Sequence, residues 1–148
     1  MPHARTLLRN AAAAAIATPP TSLIAGRVFA GRVWPHDPGA LPAARVFTDS
    51  EQLVFPLSMT EVQRTVALRV EIIAVGLEGV IDDAIDDACE EVESRLSAAL
   101  TVGGRSVRPV YQTTDIELDR DGERVTARAV LTYRVDLFTQ SSAPGTLA

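Results

Sequence analysis

The sequence predicts an α+β fold of two layers, with a mainly antiparallel sheet of four to five strands and two helices packed on one face. Three observations predict it. Residues 62–75 and 123–138 alternate apolar and polar side chains over long runs, the pattern of strands with one face buried. Residues 78–100 repeat apolar side chains at steps of three and four, the pattern of a helix. A length of 148 residues with 47% hydrophobic content suits one sizeable core. Residues 1–138 therefore read as a single domain and residues 139–148 (TQSSAPGTLA) as a flexible C-terminal tail.

The first helix is expected over residues 3–18. Leu8, Ala11, Ala12, Ala15 and Ile16 fall on one helical stripe, and alanine is the best helix former. Pro19-Pro20 stops it. Arg5 and Arg9 ahead of an alanine run faintly suggest a secretory leader, but a short, almost pure alanine stretch fits an amphipathic helix better. A short strand follows around Val28–Val33, and Pro35, Pro38, Gly39 and Pro42 force a loop. Ala44–Thr48 is a second short strand. Residues 49–60 carry little pattern, and Pro56 marks an irregular or edge segment.

The long strand is clearer. Val66, Leu68, Val70, Ile72 and Ala74 alternate with Thr65, Ala67, Arg69 and Glu71, and near its end Ile73 and Val75 make both faces apolar. In the helix that follows, Ile81, Ala84, Ile85, Ala88, Cys89, Val92, Leu96, Ala99 and Leu100 form the apolar stripe. Asp82, Asp83, Asp86, Asp87, Glu90, Glu91 and Glu93 form the other face, with Arg95 near the end, an order that suits the helix dipole. Gly103-Gly104 is expected to terminate this helix. Residues 107–119 and 123–138 then make a hairpin about Asp121-Gly122. Val125, Ala127, Ala129, Leu131, Tyr133, Val135 and Leu137 lie on one face, against Thr126, Arg128, Thr132, Arg134 and Asp136 on the other, with Val130 the exception.

Composition excludes several chemistries. The net charge is −5, and clustered positive charge of the kind that grips phosphate is lacking. All 14 basic residues are arginine, so Schiff-base and P-loop lysines are out. The lone Cys89 allows no intrachain disulfide and reads as a buried small apolar residue. No apolar run is long enough to cross a membrane. His3 and His36 are far apart, and no HExxH, GxSxG, GxGxxG or Walker pattern occurs. No catalytic, cofactor-binding or metal-ligating residue is assigned, and the chain is read as a non-enzyme that needs no cofactor.

Four features point to contact with other polypeptides. The acidic residues Asp82, Asp83, Asp86, Asp87 and Glu90 share one side of a helix; they read as a solvated face or a charged rim against another subunit, the alternative being a divalent-cation site. Arg69, Arg128 and Arg134 read as solvated strand surface or as the patch that meets a neighbour's acidic helix. Trp34 reads as an interface anchor or as a local core plug. An unbroken last strand of about 50 Å, at about 3.3 Å per residue, outruns a helix of about 30 Å, so part of the hairpin is expected to project toward a neighbour.

The order of segments resembles a known family. A first helix leads to VFAGRVWPHDPGALPAARVFTDSE, then the long strand RTVALRVEIIAVG, the acidic helix DDAIDDACEEVESRL and the closing pair YQTTDIELDRDGERVTARAVLTYRVDLF. This is similar to the tail terminator family of long-tailed phages, the lambda-like minor tail protein U group. Gly31, Arg32, Leu41, Pro42, Ala43, Val46 and Phe47 match one stretch of its pattern, and Leu131, Tyr133 and Val135 match another. Residues 49–60 depart from it. The resemblance implies a structural virion protein forming a hexameric ring that caps the tail tube, ends tube polymerisation and joins the tail to the head connector. It implies as partners further copies of the chain, the tail tube protein and the head–tail connector protein. It implies no membrane and no sequence-specific nucleic acid, with DNA passing through the ring, and assembly in the host cytoplasm into the virion. The alternatives are another homo-oligomeric neck, connector or binding module, and a metal-dependent nucleotide phosphohydrolase using the acidic helix.

Overall fold

The computed structural model describes residues 2–18, 27–31, 42–56 and 58–148. Among these residues it is α+β, with two helices and a mostly antiparallel sheet. The elements run α1 (Ala4–Ala17), β1 (Val28–Ala30), β2 (Ala43–Pro56), β3 (Glu61–Leu77), α2 (Ile81–Arg95), β4 (Leu100–Val102), β5 (Arg105–Val107), β6 (Val110–Asp121), β7 (Arg124–Gln140) and β8 (Ala143–Leu147). The main sheet has the order β1-β2-β3-β7-β6, with β8 also on β7, and among the described residues only β1–β2 is parallel. Among the described residues this sheet has six strands, where four to five were expected, and β4–β5 adds a separate hairpin.

The centre of the sheet is the β3–β7 ladder, paired without a break from Glu61↔Gln140 to Leu77↔Arg124. Val66, Leu68, Val70 and Ile72 lie opposite Val135, Tyr133, Leu131 and Ala129, and directly opposed residues share a face. That face is buried and joins one apolar cluster with Leu8, Ala12 and Ile16 of α1 and Ile81, Ile85, Ala88 and Val92 of α2. Each fully buried Leu, Ile or Val contributes about 1.5–3 kcal/mol relative to leaving it in water. The alanines of α1 bury without bulk, and Ala4 and Ala12 have no exposed surface at all.

Four expectations are corrected. β2 is a 14-residue strand rather than a short one, because a register shift between Thr48 and Ser50 breaks its alternation while the pairing with β3 continues. Helix α2 stops at Arg95, and Leu100 and Val102 become buried strand residues. Gly103-Gly104 does not end the helix; it forms the two-residue turn of β4–β5, with φ of 55° and 80°, the backbone a tight hairpin demands. Residues 143–147 form β8 rather than a loose tail, because Leu147 is buried and the Ala148 amide donates to the Phe138 carbonyl at 2.8 Å.

The hairpin expected to project in part is β6–β7, and its two strands differ. One face of β7 is buried all the way from Val125 to Leu137, and α2 and β5 approach it from outside the main sheet. The exposed strand is β6 instead. Val110, Tyr111, Ile116 and Leu118 all lie open to solvent.

Candidate interaction surface

The register of β3 and β7 sets the polar sheet face. Arg69 lies opposite Thr132, Arg134 opposite Ala67 and Arg128 opposite Ile73, so the three arginines share the face that the alternation assigns them. Each has an acidic neighbour in its own chain. Arg69 Nη2 is 3.1 Å from Asp49 Oδ2, and Arg128 Nε is 3.0 Å from Glu71 Oε1. Arg134 Nε is 3.9 Å from Asp136 Oδ2, a looser pair. Glu71 is only 3% exposed and also accepts from Arg45 Nε at 2.7 Å, while the Arg45 guanidinium lies 5.3 Å from the Phe47 ring centre. A buried carboxylate between two guanidiniums fixes this face electrostatically.

The acidic face of α2 is laid out as the helical spacing predicts. Asp82, Asp83, Asp86, Asp87 and Glu90 are all exposed, and Asp82 and Asp83 occupy the first turn, where the helix dipole favours them. Among the described residues no group of three or more His, Cys, Asp or Glu converges to hold a metal ion. An exposed helix face splays its carboxylates outward, whereas a hard cation needs oxygens converging from several sides. Trp34 lies outside the described residues.

Two surfaces that the sequence did not single out stand at the two sides of the sheet. On one side is β6, which pairs with β7 and with no other strand among the described residues. Ile116 and Leu118 lie opposite the buried Ala129 and Ala127, so they point to the helix side and yet remain 46% and 54% exposed. Beside them a groove of about 390 Å³ is lined by Glu78, Ile81, Asp82, Leu118, Arg120 and Val125. Arg120 is ion-paired with Glu78. Farther along the same flank of α2, Asp86 and Glu93 act on Cys89, and Glu93 acts also on Tyr133, whose ring packs edge-on against Tyr111 of β6 at 5.6 Å. Burial first, then Asp86 and Glu93, pushes the Cys89 thiol up to about 11.

On the other side, the start of α1 meets β2. His3 caps α1 by accepting from the Arg5 amide at its Nδ1, 3.1 Å away. Burial, then the Arg5 charge, lowers the His3 pKa, which keeps the ring neutral at pH 7. Glu51 accepts both Arg5 (2.9 Å) and Arg64, while Arg64 Nε also donates to Thr139 Oγ1 at 2.8 Å. Arg9 Nε is buried without a hydrogen-bond partner among the described residues. His3, Arg5, Arg9 and residues 47–50 surround a groove of about 480 Å³.

No protein-family profile matches this chain, and no curated protein matches it. Among solved structures, a chain of "Virion of native gene transfer agent (GTA) particle" aligns with a TM-score of 0.47 at 16% identity, over 90% of this chain and 92% of its own. A second solved chain aligns with a TM-score of 0.47 at 17% identity, over 87% of this chain and 93% of its own. Among the described residues no helix is long and apolar enough to cross a membrane.

Proposed function

We propose that this chain is a structural virion protein that closes into a ring on the end of a phage-type tail tube, ends tube polymerisation and joins the tail to the head connector. One observation carries the reading. β6 is a 12-residue edge strand with exposed apolar side chains and no strand partner on its outer edge among the described residues. Such an edge is a template for another chain, and natural proteins rarely leave one this long and apolar without a use for it. The order of elements that resembles the tail terminators supports the same role. The role needs no catalytic group: a ring is made from one patch meeting a different patch, closed by rotation.

In this reading copies of the chain are the first partner, in a hexameric ring, and the tube protein and the head connector are the others. Asp82, Asp83, Asp86, Asp87 and Glu90 serve as a charged rim, Arg69 and Arg134 as part of the polar sheet face, and Trp34 as an anchor. Arg128 belongs chiefly to the Glu71 pair. Negative-stain imaging tests the proposal: purified protein should show rings with a central opening, and adding it to polymerising tube protein should yield shorter, capped tubes. Tubes that grow to the same length with and without it would overturn the role.

A further inference from the structure

We infer that the surface along β6 and the flank of α2 binds a second copy of this chain through the face that the copy builds from the start of α1 and β2. This rests on the ring reading and names its interface. The sheet order places β6 at one side and β2 toward the other. On the β6 side the helix layer is acidic: Asp82 lines the groove with the exposed Leu118, and Asp86 and Glu93 follow along the same flank. Arg120, the cation within that groove, is already held by Glu78.

The opposite side carries the matching charge. Arg5 and Arg64 share the single carboxylate of Glu51, Asp49 in the same groove lies against Arg69, and the buried Arg9 Nε has no hydrogen-bond partner among the described residues. Leu53 and Val54, farther along β2, are exposed apolar side chains suited to cover Ile116 and Leu118. Ile116 and Leu118 supply the apolar burial, and the charges set partner and register, because exposed ion pairs add little energy of their own. Arg128 and Arg69 are poorer partners for the acidic helix, since Glu71 and Asp49 lie against them. Two unlike patches at opposite sides of one sheet make a head-to-tail contact, which forms a ring where its rotation closes and an open filament where it does not.

Two variants test this. The first, Ile116→Glu with Leu118→Glu, disables the acidic side and leaves α1 intact. The second, Arg5→Glu with Arg9→Glu, disables the basic side and leaves β6 intact. Each alone should be monomeric by light scattering, with circular dichroism and melting confirming the fold. Mixed one to one, they should form a dimer holding one copy of each, because a single productive contact remains. If the wild type assembles and both variants assemble equally well, the interface is elsewhere and the ring reading stands. A mixture in which the variants stay apart also overturns the inference, since it denies that the two patches meet each other. A wild type that stays monomeric overturns both.

Discussion

Arg128 Nε lies 3.0 Å from Glu71 Oε1 across the β3–β7 ladder, so an arginine that the alternation places on an open polar face is held within its own chain. Glu71 has almost no contact with solvent and is also bound by Arg45. Removing the carboxylate leaves two guanidiniums facing each other with nothing between them. Glu71→Ala should therefore lower stability by roughly 3 kcal/mol, within the range for breaking a buried ion pair. Urea denaturation measures it, and a loss below about 1 kcal/mol would show that solvent replaces the pair.

The same contact separates two variants that look alike in the sequence. Arg128→Glu sets a second carboxylate against Glu71 and should destabilise the fold itself. Arg134, 53% exposed in its side chain and 3.9 Å from Asp136, should tolerate reversal within about 0.5 kcal/mol. Any effect of Arg134→Glu on assembly then reports a contact, while an effect of Arg128→Glu does not. Melting curves of the two variants check the distinction.

The alanines of α1 make a packing prediction. Ala12 has no exposed surface, whereas Ala14, two positions on, is exposed. Ala12→Leu should cost about 1–3 kcal/mol through overpacking. Ala14→Leu should change stability by less than about 0.5 kcal/mol. Equal effects would mean that α1 does not pack on the face described.

Gly103 makes a sharper one. Its φ is 55°, and a Cβ added there would lie 2.9 Å from Leu147 Cδ1. Gly122 has a similar φ of 65° but open space around it. Alanine at either position meets backbone strain of about 1 kcal/mol, and at Gly103 it must also push the β8 side chain away. Gly103→Ala should thus be the more destabilising, and truncating Leu147 to Ala should bring the two closer.

Alkaline pH tests the buried titratable groups. Burial, then Asp86 and Glu93, lifts Cys89 from 9.0 to about 11, and burial, then Glu93, lifts the Tyr133 phenol well above its usual range. Above about pH 9 the unfolded chain releases protons that the folded chain still holds. Folding then carries more bound protons than unfolding, so stability falls as pH rises from about 9 toward 11. Melting points between about pH 8 and about pH 10.5 should decline, and Cys89→Ala should reduce the slope.

What was legible in the sequence is what burial of one sheet face dictates. Alternation over Val66–Ala74 and Val125–Leu137 assigns those side chains to the core because a strand in a two-layer fold has no other way to bury them. It also places Arg69, Arg128 and Arg134 together. It does not give strand order, so Ile116 and Leu118, which alternate with Asp115, Glu117 and Asp119, look like another half-buried strand. Only the edge position of β6 leaves them exposed. β2 reads as a short strand in the sequence for a different reason. The register shift between Thr48 and Ser50 reverses the phase, so Glu51 falls opposite Val66 on the helix side, where it pairs with Arg5 and Arg64. A polar residue at a position that the alternation reserves for an apolar one looks like a loop until its partners, far away in the chain, are seen. The neutralisation of Arg128 by Glu71 was hidden in the same way.

Sedimentation velocity of the purified chain over a wide concentration range tests the central claim most directly. A closed assembly predicts one heavy species, larger than a dimer, whose size stops increasing with concentration. A lone species of 15.8 kDa at every concentration would contradict it.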